Sequence, residues 1–131
     1  MIDLFQKVDF TSHSGLDLKW KIEMDALSHK EWECIALMIM ELTPPFKEAI
    51  GIPRGGNILG KLMNHHGTGK REDPICIVDD VVSTGGSIIG LENMLKKIEC
   101  NVICKAAVLL EEAGYDKDDL VYLEKLPIFK P

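Results

Sequence analysis

Two adjacent aspartates, Asp79 and Asp80, end the apolar run Ile75-Cys76-Ile77-Val78, and Ser83-Thr84-Gly85-Gly86-Ser87 follows after two valines. The apolar run, rich in β-branched residues, has the pattern of a buried strand. The small residues after it open an amphipathic helix. Their glycines let backbone N–H groups converge, their hydroxyls add donors, and the helix turns the positive end of its dipole to the same point. That combination suits a phosphate dianion. Asp79 and Asp80 stand at the carboxyl end of the strand, where open α/β sheets bind ligands, and as acceptors they suit sugar hydroxyls better than phosphate. A tight turn with solvated aspartates would explain each residue singly but not the conjunction.

A second stretch repeats the layout. Ala49-Ile50-Gly51-Ile52 reads as a short strand, and it leads through Pro53-Arg54-Gly55-Gly56 into a helix carrying Ile58, Leu59, Leu62 and Met63. Gly55 and Gly56 permit close backbone approach, and Arg54 offers a planar set of donors to phosphoryl oxygens. Two anion sites on neighbouring strand ends are therefore expected. Other phosphate loops fit less well, since the chain has no Gly-Lys-Ser/Thr and its glycines do not keep the dinucleotide-binding spacing.

From Ile75 to Ser87 the sequence resembles the 5-phosphoribosyl-1-diphosphate (PRPP) signature of the type I phosphoribosyltransferases, and Gly51-Ile52-Pro53-Arg54-Gly55-Gly56 is similar to the pyrophosphate loop of that family. The resemblance implies an α/β fold: a parallel-sheet, Rossmann-like three-layer core with a small N-terminal hood. It implies PRPP on Asp79, Asp80, Ser83, Thr84, Gly85, Gly86 and Ser87, with pyrophosphate on Arg54, Gly55 and Gly56. Mg²⁺ would be held near Asp79 and Asp80, largely through water and PRPP, as suits an ion that keeps few protein carboxylates. The implied activity is transfer of the phosphoribosyl group to a nucleobase, with Asp79, Asp80 and Arg54 at the reaction centre. A PRPP sensor without turnover and a 6-oxopurine salvage enzyme are the alternatives.

Phe10, Thr11, Ser14 and Gly15 match the orotate branch of the family, which makes His13 and Ser14 candidate contacts for the base. Ser83 stands where the 6-oxopurine enzymes place an aspartate before Thr-Gly, and Glu111 and Glu112 stand where they place a lysine. Both departures argue against a 6-oxopurine acceptor, and Ser83 together with the Phe10 to Gly15 segment points to the orotate-like branch. His65-His66-Gly67-Thr68-Gly69-Lys70 resembles the mobile catalytic loop of the orotate enzymes, which adds His66 as a candidate catalytic group, acting within one chain or across two. Only a short segment separates the two phosphate loops, so the strand and long excursion usual there are missing.

The remainder of the chain must position these groups. At 131 residues one domain is expected, with residues 1–27 as the hood and 28–131 as the core. A net charge of -6 argues against nucleic acid, which is bound through basic patches. The four cysteines form no CxxC pair and read as small reduced core residues. No apolar run approaches about 18 residues and no secretion segment is evident, so a cytoplasmic, membrane-free protein is expected. Leu18 to Met24 alternates as a half-covered strand after a polar turn at Phe10 to Gly15. Ser28-His29-Lys30-Glu31 has capping-box spacing before a helix ending near Thr43. That helix is apolar nearly all round, which predicts one side packed on the sheet and the other covered by a second subunit, as in a homodimer, or by the hood. A helix from Ile88 to near Glu99, a strand from Val102 to Leu110, an acidic loop from Glu111 to Asp119 and a strand from Leu120 to Leu123 complete the reading. Strands and helices alternating at this interval predict a parallel sheet with right-handed crossovers.

Overall fold

A computed structural model describes residues 5–11, 17–22, 24–98, 102–111, 115 and 119–126. The chain opens with an antiparallel hairpin of β1 (Phe5–Thr11) and β2 (Asp17–Ile22), which form their own two-stranded sheet. Here the sequence misleads in two ways. Phe10 and Thr11 end a strand instead of starting a turn, because the register shifts between Lys7 and Phe10 and so breaks the period-two pattern that would reveal β1. Met24 leaves the strand for a 3₁₀ turn and is buried.

Helix α1 (His29–Met40) begins at the expected capping box: Glu31 N–H donates to Ser28 Oγ at 3.2 Å and Ser28 N–H to Glu31 Oε1 at 2.9 Å. Its buried face is Trp32, Ala36 and Ile39, a spacing of four and three that defines one stripe. The opposite side is open among the described residues. Leu37 and Met38 are more than half exposed, and Cys34 is on the surface, not in the core. Within one chain α1 is thus covered on one side only.

The core is a four-stranded sheet of β3 (Glu48–Gly51), β4 (Ile75–Val82), β5 (Ile103–Glu111) and β6 (Leu120–Leu126), in that order and parallel throughout. Helix α2 (Asn57–Asn64) joins β3 to β4, and α3 (Gly86–Lys97) joins β4 to β5. α1 and α2 pack with Cys76, Val78, Ala106 and Val108 on one face, while Ile88 and Leu95 of α3 pack with Ile75, Ile77 and Ala107 on the other. This is the expected three-layer arrangement.

The crossovers, however, do not share one hand. The strands advance steadily in one direction while α2 and α3 lie on opposite faces, so the two connections turn opposite ways. α2 is held to its face by a glycine contact with β3, since a Cβ on Gly60 would come within 2.6 Å of Gly51 N. Among the described residues no helix is long and apolar enough to cross a membrane.

Candidate active site

Parallel packing puts the carboxyl ends of β3, β4 and β5 side by side. A cavity of about 470 Å³ opens there, lined by Ile52 to Gly55, by Asp79 to Ile88 and by Glu111. Its size lies in the range of small-molecule sites. Arg54 and Thr84 open onto this one cavity, although they follow different strands. The ladder between β3 and β4 is in register from Glu48 opposite Ile75 to Gly51 opposite Val78, and this brings their following loops together.

The first loop turns tightly. Gly56 N–H donates to Ile52 O at 2.8 Å and Asn57 N–H to Arg54 O at 3.1 Å; the Pro53–Arg54 peptide is cis. Gly55 lies directly against Asp80, and a Cβ there would overlap the Asp80 carboxylate. Glycine at this position therefore lets the arginine loop touch the acid pair.

Asp79 and Asp80 fall inside the carboxyl-terminal half of β4, whose ladder with β5 runs on to Val82 opposite Leu110. Each carboxylate accepts from the next backbone N–H: Asp80 N–H donates to Asp79 Oδ1 at 2.8 Å and Val81 N–H to Asp80 Oδ1 at 2.7 Å. Both side chains are half-buried. Burial, with the neighbouring Asp80 carboxyl adding its hydrogen bond and charge, pushes Asp79 up to about 8. A site that disfavours a second negative charge is one in which a cation or a hydroxyl donor is welcome.

The second loop leads into α3. Gly85 has φ 77°, in the left-handed region, and α3 carries no side-chain cap and no acidic residue in its first turn. Gly86 N–H makes only a long contact with Thr84 Oγ1, at 3.4 Å. First-turn amides, the Thr84 and Ser87 hydroxyls and the positive helix end thus face the cavity with no acid on the first turn of α3 itself to occupy them.

Beneath this loop lies a group that the sequence did not reveal. Lys105 of β5 is 3 % exposed. Its Nζ lies 2.9 Å from Glu92 Oε2 of α3 and 2.5 Å from Asp119 Oδ2, and it also bonds to Tyr115 Oη at 3.3 Å. Tyr115 Oη in turn donates to Asp119 Oδ1 at 2.5 Å. Burial works against the Lys105 charge, but the bonds to Asp119, Glu92 and Tyr115 outweigh it and hold the lysine above its ordinary range. The Tyr115 ring sits where a Cβ on Gly85 would be. Tyr115 is therefore core support for the phosphate-type loop, 7 % exposed, and does not present its ring for stacking on a ligand.

Asp79, Asp80, Arg54, Gly55 and Ser83 to Ser87 all line the one cavity. Gly56 is buried behind them as the residue before α2. His66 is not brought there. α2 runs back from the carboxyl to the amino end of β3, and the segment after it is tied to that far end: Thr68 N–H donates to Phe46 O at 2.8 Å and Gly69 N–H to Lys47 O at 3.1 Å. A catalytic part for His66 within one chain is thereby corrected. His13, Ser14 and Glu112 lie outside the described residues. Glu111, read as the start of a loop, is the last residue of β5 and joins the cavity wall.

Among the described residues no three His, Cys, Asp or Glu side chains gather as a metal cage. Two neighbouring carboxylates beside anion-binding loops nonetheless match what Mg²⁺ takes when phosphates and water complete its shell. The donor set fits that ion.

No protein-family model matches the sequence, and no curated protein matches it. Solved structures do. Orotate phosphoribosyltransferase from Aeropyrum pernix is similar with a TM-score of 0.75 and 17% identity over 93% of this chain and 88% of that one. The Mycobacterium tuberculosis orotate phosphoribosyltransferase in complex with PRPP gives 0.67 and 17% over 92% and 87%. Xanthine-guanine-hypoxanthine phosphoribosyltransferase from Helicobacter pylori gives 0.59 and 17% over 79% and 88%.

Proposed function

From the fold it shares with the type I phosphoribosyltransferases, we propose that the protein transfers the 5-phosphoribosyl group of PRPP to a nucleobase or related heterocycle and releases pyrophosphate. The observation that carries this reading is the meeting of the Arg54–Gly55 loop, the Asp79–Asp80 pair and the Ser83–Ser87 loop on one cavity. PRPP has two anionic ends joined by a ribose, and the cavity offers two anion loops with acceptors between them.

In this reading Ser83, Thr84, Gly85, Gly86 and Ser87 hold the 5-phosphate through amides and hydroxyls. Asp79 and Asp80 bond to the ribose hydroxyls, and the Asp80 carboxylate stabilises the sugar electrostatically as it gains positive character on the way to an oxocarbenium-like state. Arg54, with the Gly55 backbone, takes the developing charge on the departing pyrophosphate, while Gly56, whose N–H is held by Ile52 O, shapes the turn behind them. Asp79 and Asp80 would hold Mg²⁺, which supplies further charge neutralisation to the phosphates. Positioning supplies most of the rate. The same reading takes the protein to be a cytoplasmic homodimer. Ser83, lacking the general-base character of an aspartate, supports the orotate-like side over a 6-oxopurine acceptor.

A second reading, a PRPP sensor without turnover, is favoured by one feature: the His66–Lys70 segment is tied to the far end of the sheet, so it cannot close over the pyrophosphate within its own chain. One experiment separates the two. Protein, Mg²⁺ and PRPP are mixed with a panel of bases, and pyrophosphate and nucleotide are measured. Turnover with any base supports the transferase, and saturable PRPP binding without product from all of them supports the sensor. Asp80→Asn is expected to weaken PRPP binding about tenfold or more with the fold intact; unchanged affinity would remove its ribose role.

A further inference from the structure

The wall of the cavity away from Arg54 is formed by Glu111, and no step described above uses it. β5 lies beside β4 on the side opposite β3, with Leu110 in register with Val82, so Glu111 stands next to Ser83 at the carboxyl end of the sheet. Its Oε2 is buried and has no hydrogen-bond partner. No ion pair to it is formed among the described residues, and burial alone raises the carboxyl above its ordinary range. A buried carboxylate oxygen left unpaired costs more than most polar groups, and in a ligand cavity the economical remedy is a donor carried by the ligand.

Displacement at ribose C1 sets where that donor comes from. Pyrophosphate leaves toward Arg54 on the β3 side, so the entering nitrogen approaches from the opposite face of the sugar, which is the β5 side. We infer that Glu111 is the group that selects the acceptor, accepting an N–H from a neutral base with an amino group or ring N–H beside its nucleophilic nitrogen, and rejecting a base that carries a carboxylate. This rests on the phosphoribosyl-transfer reading and revises its acceptor: Ser83 argues against a 6-oxopurine, and Glu111 argues against orotate itself. An amino group would bring a donor to the open Glu111 Oε2, whereas the carboxylate of an anionic base brings none.

The test separates this inference from the reading beneath it. PRPP binding with Mg²⁺ is first measured by calorimetry on the unmodified protein, without base. Adenine, cytosine and orotate are then titrated into protein saturated with ribose 5-phosphate, which cannot react, in the unmodified chain, in Glu111→Gln and in Glu111→Lys. The expected result is binding of adenine or cytosine at least tenfold tighter than orotate, a loss of about 10–100-fold in Glu111→Gln, and a reversed preference in Glu111→Lys, with PRPP still bound by both variants. PRPP binding accompanied by preferred binding of orotate, by no binding of any base, or by base affinities indifferent to Glu111→Gln overturns the inference and leaves the PRPP site standing. Failure of PRPP to bind overturns both.

Discussion

The phosphate-type loop is predicted to depend on the absence of a single methyl group at position 85. Gly85 holds φ 77° and the Tyr115 ring occupies the space a Cβ would need. Gly85→Ala therefore meets two separate costs: the left-handed backbone, about 1–2 kcal/mol for a residue with a Cβ, and overpacking against the ring, about 1–3 kcal/mol. The sum, about 2–5 kcal/mol, is a large share of the 5–15 kcal/mol typical of a domain. The parts can be separated, because only the second needs Tyr115. In a Tyr115→Ala background, Gly85→Ala should cost only the backbone part, which gives a coupling of about 1–3 kcal/mol in a double-mutant cycle. Urea unfolding of the four proteins measures it, in a stabilising osmolyte so that the double variant stays folded. Because Gly85 precedes the first amides of α3, PRPP affinity should fall at least tenfold in Gly85→Ala. Equal costs in both backgrounds would show that Tyr115 is no obstacle and that the loop rests on something else.

Two further predictions concern charge. A carboxyl held at about 8 keeps its proton in the folded state between roughly pH 4 and 8, where the unfolded chain has lost it. The contribution of Asp79 to stability is thus fully present below the ordinary aspartate range, declines as pH rises by up to about 1.4 kcal/mol per unit, and is gone above pH 8. Urea unfolding from pH 5 to 9 should show the unmodified protein losing stability relative to Asp79→Asn; parallel curves would place Asp79 in a far more solvated setting. Lys105→Met should cost about 3 kcal/mol or more, because it leaves Glu92, 9 % exposed, without its buried partner. Glu92→Gln added to it should recover part of that loss, and a single-variant cost under about 1 kcal/mol would mean that the cluster is better hydrated than its burial implies.

How much of this was legible in the chain depends on whether the deciding contacts are local. Strand β4 and its loop could be read because an apolar run, two acids and a glycine turn are contiguous, and the capping box at Ser28 because its partners are three residues apart. β1 escaped because a register shift breaks its alternation, and Lys105 because Glu92, Tyr115 and Asp119 reach it from separate parts of the chain. His66 and Glu111 are different, since a rule for them was available. In a parallel sheet each helix carries the chain from the carboxyl ends of the strands back to the amino ends. Any residue between a helix and the next strand therefore lies on the far side from the ligand, however suggestive its sequence, and this applies to His66 once α2 and β4 are assigned. Any residue closing a strand lies on the ligand side, and this applies to Glu111 once β5 is extended by one position. Similarity of a short loop to a catalytic one gives side-chain chemistry but no direction along the sheet; the order of strand and helix gives the direction. Applied together, they move His66 out of the cavity and bring Glu111 in.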